Sequence, residues 1–373
     1  MTSRDIDWEN LEIPDADGGL GGLLILMKHV LHIVAAYQRV LTPIQQNPSK
    51  PSEDKGIQDP LALARDAARL IRAHGTKLSL LLINEPFTPK AMLRVVYELL
   101  QSPLQSLSAS VHSCDSNIYT AVLRKELAYR VAKVFAELER LLRLIPEDGK
   151  VLSGESKEGG SGCLAVTGKL WAACDDVVSL AEMGVGGFFV KKAQEWRDTL
   201  KDVMQEMKEW GEEEPDDDDE DEVDDLADQL GDTSISKQDM VDDLMNSQAT
   251  IPRSDPDRIR PRLDSSLKRL RMVVLLYQAI SKRRFKKLPK DTTKSDMPQR
   301  LDKVALVIEQ LPDKFGDLAG AFYELDPTEI DRLMEECFES AVGAGEVLKS
   351  GWEGEKDEFT EWVDKFQVEV KKT

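Results

Sequence analysis

Histidine and cysteine are both scarce in this chain, with four of each in 373 residues, and aromatic residues make up only 6%. Each scarcity excludes something. Histidine is the usual proton carrier near neutral pH, and the four present do not form a set. His29 and His32 stand one turn apart on an apolar stretch with no Cys, Asp or Glu nearby in sequence, so helix packing explains them better than metal ligation. His112 and Cys114 have no third member to complete a nucleophilic site. Cys114, Cys163, Cys174 and Cys337 show no C-x-x-C spacing and read as reduced, mostly buried thiols of an intracellular protein. Low aromatic content disfavours a β-sandwich or barrel, and no stretch alternates apolar and polar β-branched residues, so no sheet is expected. The most apolar run, 20–41, is interrupted by Lys28, His29, His32 and Arg39, which argues against a membrane span. Residues 1–10 carry Asp5, Asp7 and Glu9 and do not resemble a signal peptide. Glycines at 18, 19, 21 and 22, and again at 184, 186 and 187, follow no predicted strand. They mark turns and not phosphate loops, even with Lys191 and Lys192 just beyond. These exclusions leave no expected catalytic residue, metal or cofactor.

What the sequence does contain is helical periodicity. Leu20, Leu23, Leu24, Met27, Leu31, Val34 and Leu41 mark one face of a first helix over 20–45, and Ile25, Val30 and Ile33 make its other faces apolar. Such a helix is expected at the centre of a bundle. Asp59-Pro60 and Thr88-Pro89 are helix starts, with a capping residue and then proline where its missing N–H costs nothing. The second helix is expected to run to 83, and the third to kink or stop near Pro103. A fourth helix spans 117–145, a Gly/Ser-rich loop 147–161, and a fifth helix 162–182. After the turn at 184–187 comes the cleanest pattern. Phe189, Ala193, Trp196, Leu200, Val203, Met207 and Trp210 repeat every 3.5 residues, a seam that should bury both tryptophans. A comparable seam, Leu263, Leu267, Leu270, Val274 and Tyr277, opens a second helical region, followed by helices over 299–311, 314–325, 328–350 and 355–371.

Charge divides the chain. Its formal net charge is −20, and Glu212 to Asp225 holds 12 acids in 14 positions, leaving −8 for everything else. An acidic chain repels nucleic-acid phosphate, so no direct nucleic-acid binding is expected. From Arg258 to Lys290 there are 12 Lys/Arg and one acid. Lys282, Arg283, Arg284, Lys286 and Lys287 form a compact cluster there. It reads as cations favoured at a helix C-terminus, as a nuclear-import signal, or as an internal partner for the acidic tract.

The stretch Leu170-Trp171-Ala172-Ala173-Cys174-Asp175, and then Gly187-Phe188-Phe189-Val190-Lys191-Lys192-Ala193 through Trp196-Arg197-Asp198, resembles the cyclin-D-interacting protein family, with the closest similarity to fungal members. The wording matches over 168–214, and the order of elements over most of the chain. The resemblance implies a nuclear and cytoplasmic regulator that binds D-type cyclins and helix-loop-helix transcription factors, with no catalytic residue. It also marks Trp171, Cys174, Phe188, Phe189, Lys191, Lys192, Trp196, Arg197 and Trp210 as the family's motif and packing positions.

The expected architecture is all-α. A flexible segment (1–19) precedes an N-terminal antiparallel bundle (20–211), an acidic and largely disordered linker (212–254), and a C-terminal antiparallel bundle (255–373). The expected function is non-enzymatic binding of other proteins through helical surfaces, with a structural adaptor of the cytoskeletal bundle type as the alternative. Cytoplasm and nucleus are the expected locations, and no membrane partner is expected.

Overall fold

A computed structural model describes residues 19–50, 56–152, 162–213, 250–289 and 296–372. Among these residues the chain is helical and contains no strand. The helices are α1 (Leu20–Gln46), α2 (Pro60–Ile83), α3 (Pro89–Gln101), α4 (Pro103–Ser113), α5 (Ser116–Tyr119), α6 (Ala121–Leu142), α7 (Cys163–Glu212), α8 (Ile259–Arg283), α9 (Met297–Tyr323), α10 (Pro327–Val347) and α11 (Glu358–Val370). The described residues form two compact units, the first ending at Phe188 and the second beginning at Phe189. Residues 189–212, expected in the N-terminal bundle, therefore belong to the second unit. The acidic segment 214–249 lies outside the described residues. The end of the expected linker does not, since Ile251 is buried and the Asp255 carboxylate accepts hydrogen bonds from the Ile259 and Arg260 amides at the start of α8.

In the first unit, local chemistry sets the helix boundaries. Asp59 accepts from the Ala62 amide at 2.9 Å to open α2, with Pro60 behind it. The single helix expected over 117–145 is broken at Thr120, which adopts φ 75° and whose hydroxyl accepts from the Leu123 amide at 3.2 Å. A Thr side chain here satisfies one of the loose amides of a new helix start. α1 runs antiparallel to α6: Tyr37 stacks on Phe135 at 5.7 Å, and the Gln45 amide donates to the Ala128 carbonyl at 3.2 Å. By length and hydropathy α1 could cross a membrane, yet Leu23, Leu26, Met27, Val30, Val34 and Leu41 are buried in the unit. It is not the central helix expected, because Ile25, Lys28, His29, His32, Arg39 and Val40 face solvent. The α2 core side is small, with Ala64, Ala67, Ala68 and Gly75 buried. A β-carbon at Gly75 would sit 2.6 Å from the Leu170 side chain on α7, so any side chain there would force Leu170 to move.

The second unit is built on heptad register. Phe189 meets Phe285 at 5.4 Å, and a β-carbon on Gly211 would strike Leu263. Both contacts fit one antiparallel pairing of α7 with α8 and the turn just after it, because the two positions on each side of the pair lie equally far apart. α8 and α10 run parallel: Arg262 pairs with Asp331 at 2.8 Å, Arg269 lies 3.8 Å over Phe338, and Leu276 lies against Gly345. Each step of seven on one helix meets a step of seven on the other, as lengthwise packing of 3.5-residue seams requires.

Helix α9 passes through Pro312, where two helices were expected. Proline removes the amide that would bond the carbonyl four residues earlier, and that carbonyl, of Ile308, instead accepts from the buried Tyr277 hydroxyl at 2.5 Å. A tertiary hydrogen bond replaces the missing helical one.

Candidate functional site

The family-motif residues divide between the two units because α7 is interrupted at Gly184. There the backbone adopts φ 60°, ψ −170°, a conformation a residue with a β-carbon reaches only at a cost. On the first-unit side Cys174 is fully buried, and Trp171 is half-buried with its indole N–H donating to the Thr76 hydroxyl at 2.9 Å. The Arg72 guanidinium lies 5.1 Å over the same indole and pairs with Asp175 at 3.1 Å. Cations of two other helices hold the acids of this arm, through Arg69–Glu182 at 2.6 Å and Lys133–Asp176 at 3.3 Å. Trp171 and its acidic neighbours join α7 to α2 and α6.

On the second-unit side Phe189 and Trp210 are buried, Trp210 lying 5.2 Å from Tyr323 and 6.3 Å from Phe322. Phe188, the last residue of the first unit, is also buried. Trp196 and Val203 are only half-buried, so the seam is dry at Phe189, Ala193, Leu200, Met207 and Trp210 but open along one flank. The expectation that Trp196 is a core residue is corrected accordingly. Lys191 and Lys192 pair within their own helix with Glu195, at 3.9 and 3.3 Å, and Arg197 lies 3.4 Å from Asp198. These basic residues serve as local helix pairs.

The basic cluster after α8 does not form one accessible patch. Lys282, Arg283, Lys286 and Lys287 are exposed, but Arg284 is 1% exposed and is the largest fully buried side chain among the described residues. Its guanidinium donates to both Asp357 oxygens at 2.7 and 2.9 Å and to the carbonyls of Leu348 (2.7 Å) and Lys349 (3.0 Å), and it lies 4.4 Å over Phe359. Beside it Arg300 donates to the carbonyls of Val347 (3.3 Å), Ser350 (2.6 Å) and Gly351 (3.0 Å). A helix leaves its last carbonyls without partners and carries partial negative charge there. Two arginines from other elements supply the missing donors where α10 ends. Arg284 therefore acts as a clamp, and Arg283 pairs with Glu358.

Burial pushes the thiols of Cys114, Cys174 and Cys337 up to about 12, so the nucleophilic thiolate is suppressed. His29 and His32 lie on the solvent face of α1, which corrects the expectation that packing accounts for them.

One surface escaped the sequence reading. On α2, Leu70 (47% exposed), Ala73 and Leu80 (52% exposed) face solvent on a single stripe with Lys77 between them. Leu164 at the start of α7 is exposed too. The signal was legible: Leu70 and Leu80 fall off the period of the buried Leu61, Ala64, Ala68, Ile71, Leu78 and Leu82.

Comparison with known proteins places this surface within a recognised region. A family model described as Grap2 and cyclin-D-interacting, N-terminal, matches residues 64–213 of the chain. Over 345 residues the chain is 23% identical to an uncharacterized protein of Schizosaccharomyces pombe, covering 91% of this chain and 92% of that one.

Proposed function

We propose that this chain, whose residues 64–213 match the Grap2 and cyclin-D-interacting family model, belongs to that family and is a non-enzymatic regulatory protein that binds partner proteins through helical surfaces. The observation that carries the reading is the solvent-facing stripe Leu70, Ala73 and Leu80 on α2, inside the family-matched region. Apolar side chains three and seven residues apart on one exposed helix face suit an apolar helix of a partner, as in helix-in-groove recognition. The family description points to a D-type cyclin as the first partner to test. Action in cytoplasm and nucleus belongs to the same reading, with the cations Lys282, Arg283, Lys286 and Lys287 as the import determinant.

The test is binding of fluorescently labelled cyclin D to the full chain, compared with the Leu70→Glu/Leu80→Glu double variant. Both leucines are about half exposed, so the variant should keep its helical circular dichroism. Loss of an anchor at an interface hot spot costs roughly 2 kcal/mol or more, so affinity should fall at least about 30-fold. Unchanged affinity in the variant would remove the α2 stripe from the interface, and absence of binding in the native chain would remove the cyclin.

A further inference from the structure

α1 contains no aspartate or glutamate in its 27 residues, although the whole chain carries a net charge of −20. Its solvent face combines Lys28, His29, His32 and Arg39 with two exposed apolar residues, Ile25 (46%) and Val40 (40%). Among the described residues no carboxylate pairs with these four basic side chains, and the Arg39 Nε–H donates to a carbonyl of its own helix, that of Ala35. Ile25, Lys28, His32 and Arg39 follow one another at intervals of three, four and seven, with His29 and Val40 flanking them. They form one stripe opposite the buried face of Leu23, Val30, Val34 and Leu41. Such a surface fits a segment that is both acidic and apolar.

The chain contains one beside it. Between Asp5 and Asp17 there are six acids and no Lys or Arg, interleaved with Ile6, Trp8, Leu11 and Ile13, and Gly18 and Gly19 join this stretch directly to α1. We propose that the solvent-facing stripe of α1 is a docking surface whose occupant is residues 5–17 of the same chain. The acids meet Lys28 and Arg39, and the interleaved apolar side chains cover Ile25 and Val40. Reach permits it. Thirteen residues extend to roughly 43 Å, and a 27-residue helix is about 40 Å long, so the segment can turn back at the glycines and follow the whole stripe. A short tether raises the effective concentration to the millimolar range, which suits a contact made of individually weak exposed charge pairs. Ionic strength should govern it, because screening shortens to a few ångströms near 1 M salt. This inference does not depend on the proposed function.

The test uses cysteine capture in the full chain, whose four native cysteines are buried. Ile6→Cys is combined with Val40→Cys, near the far end of α1, or with Leu70→Cys, a similarly exposed position on α2. Disulfide yield under mild oxidation is measured at about 20 mM and about 500 mM salt. We expect the pair with position 40 to form at least roughly fivefold faster at low salt, to lose that advantage at high salt, and to lose it when the six acids become Asn. Equal trapping at positions 40 and 70 would overturn the proposal. So would a preference for position 40 that survives both high salt and removal of the acids, because charge complementarity would then not select the occupant.

Discussion

The two compact units use different ways to hold helices together. The first is made of shorter helices that meet closely across small side chains. Ala64, Ala67, Ala68 and Gly75 line the buried side of α2, and Phe135 and Phe188 are its fully buried phenylalanines. The second has long helices in heptad register around Phe189, Phe285, Phe315, Phe322, Phe338, Phe359 and Phe366. Close approach suits helices that stop often, because each contact is short and must be dense. Large aromatics suit long parallel and antiparallel runs, where a repeating seam offers a repeating hole. The helix ends differ as well. The second unit closes the end of α10 with Arg284 and Arg300, whereas in the first unit Arg124 reaches the carbonyls of Pro48 and Lys50 from α6. Buried guanidinium that satisfies loose carbonyls is the shared device.

The largest effect expected from this comparison is at the clamp. Arg284→Met should cost roughly 3–5 kcal/mol, since it leaves two carbonyls at the end of α10 without their donor, at about 1–3 kcal/mol each, and takes the partner from the partly exposed Asp357 carboxylate. Hydrogen exchange of the α10 and α11 amides, with denaturant melts, would measure it. The clamp also predicts a pH dependence. The Arg284 guanidinium, helped by the Thr360 and Phe359 amides, holds the Asp357 carboxyl well below the usual carboxylate range. A carboxyl depressed in the folded state contributes its full stability above the unfolded value, near about 4, and loses it as pH falls further. Native protein should therefore weaken below about pH 4 more steeply than the Arg284→Met variant. Parallel acid limbs would show that the pair contributes nothing.

A smaller effect is expected at the proline in α9. Tyr277→Phe keeps the ring and removes only the hydroxyl that serves the Ile308 carbonyl, so it should cost about 1–3 kcal/mol, the penalty of an unsatisfied buried acceptor. Adding Pro312→Ala to the Tyr277→Phe variant should recover part of that loss by returning the helical amide, and denaturant midpoints of the four-member cycle would show the coupling. Additive midpoints would break the link between the tyrosine and the proline.

The smallest effect tests the first unit. Gly75→Ala adds helix propensity, worth about 1 kcal/mol, but places a methyl against the fully buried Leu170, and overpacking costs typically about 1–3 kcal/mol. A net loss of up to about 2 kcal/mol is expected. A gain in stability would show slack between α2 and α7 and would weaken the contrast between the units.

Much of this molecule was legible in its residues. The absence of strand among the described residues, the start of α2 at Asp59-Pro60, the start of α10 at Asp326-Pro327, and the glycine interruption at 184 follow from local rules, because caps, prolines and apolar periods act within one or two turns. The heptad seam from Phe189 to Trp210 belongs with them. What the residues could not show was which seam meets which. Residues 189–212 pair with α8 inside the second unit, a partner that a periodic apolar face cannot name. Pro312 looks like a helix break until Tyr277 is brought to the Ile308 carbonyl. Trp196 falls on the seam's period yet stays half exposed, since burial depends on how far the neighbouring helices wrap around. Arg284 looks like one cation in a basic run, and only the end of α10 turns it into a buried clamp. Sequence by itself determined the helices and their ends, through contacts a few residues apart. Tertiary structure alone decided the pairing of faces and the role of each buried charge, because those depend on groups brought together from distant parts of the chain.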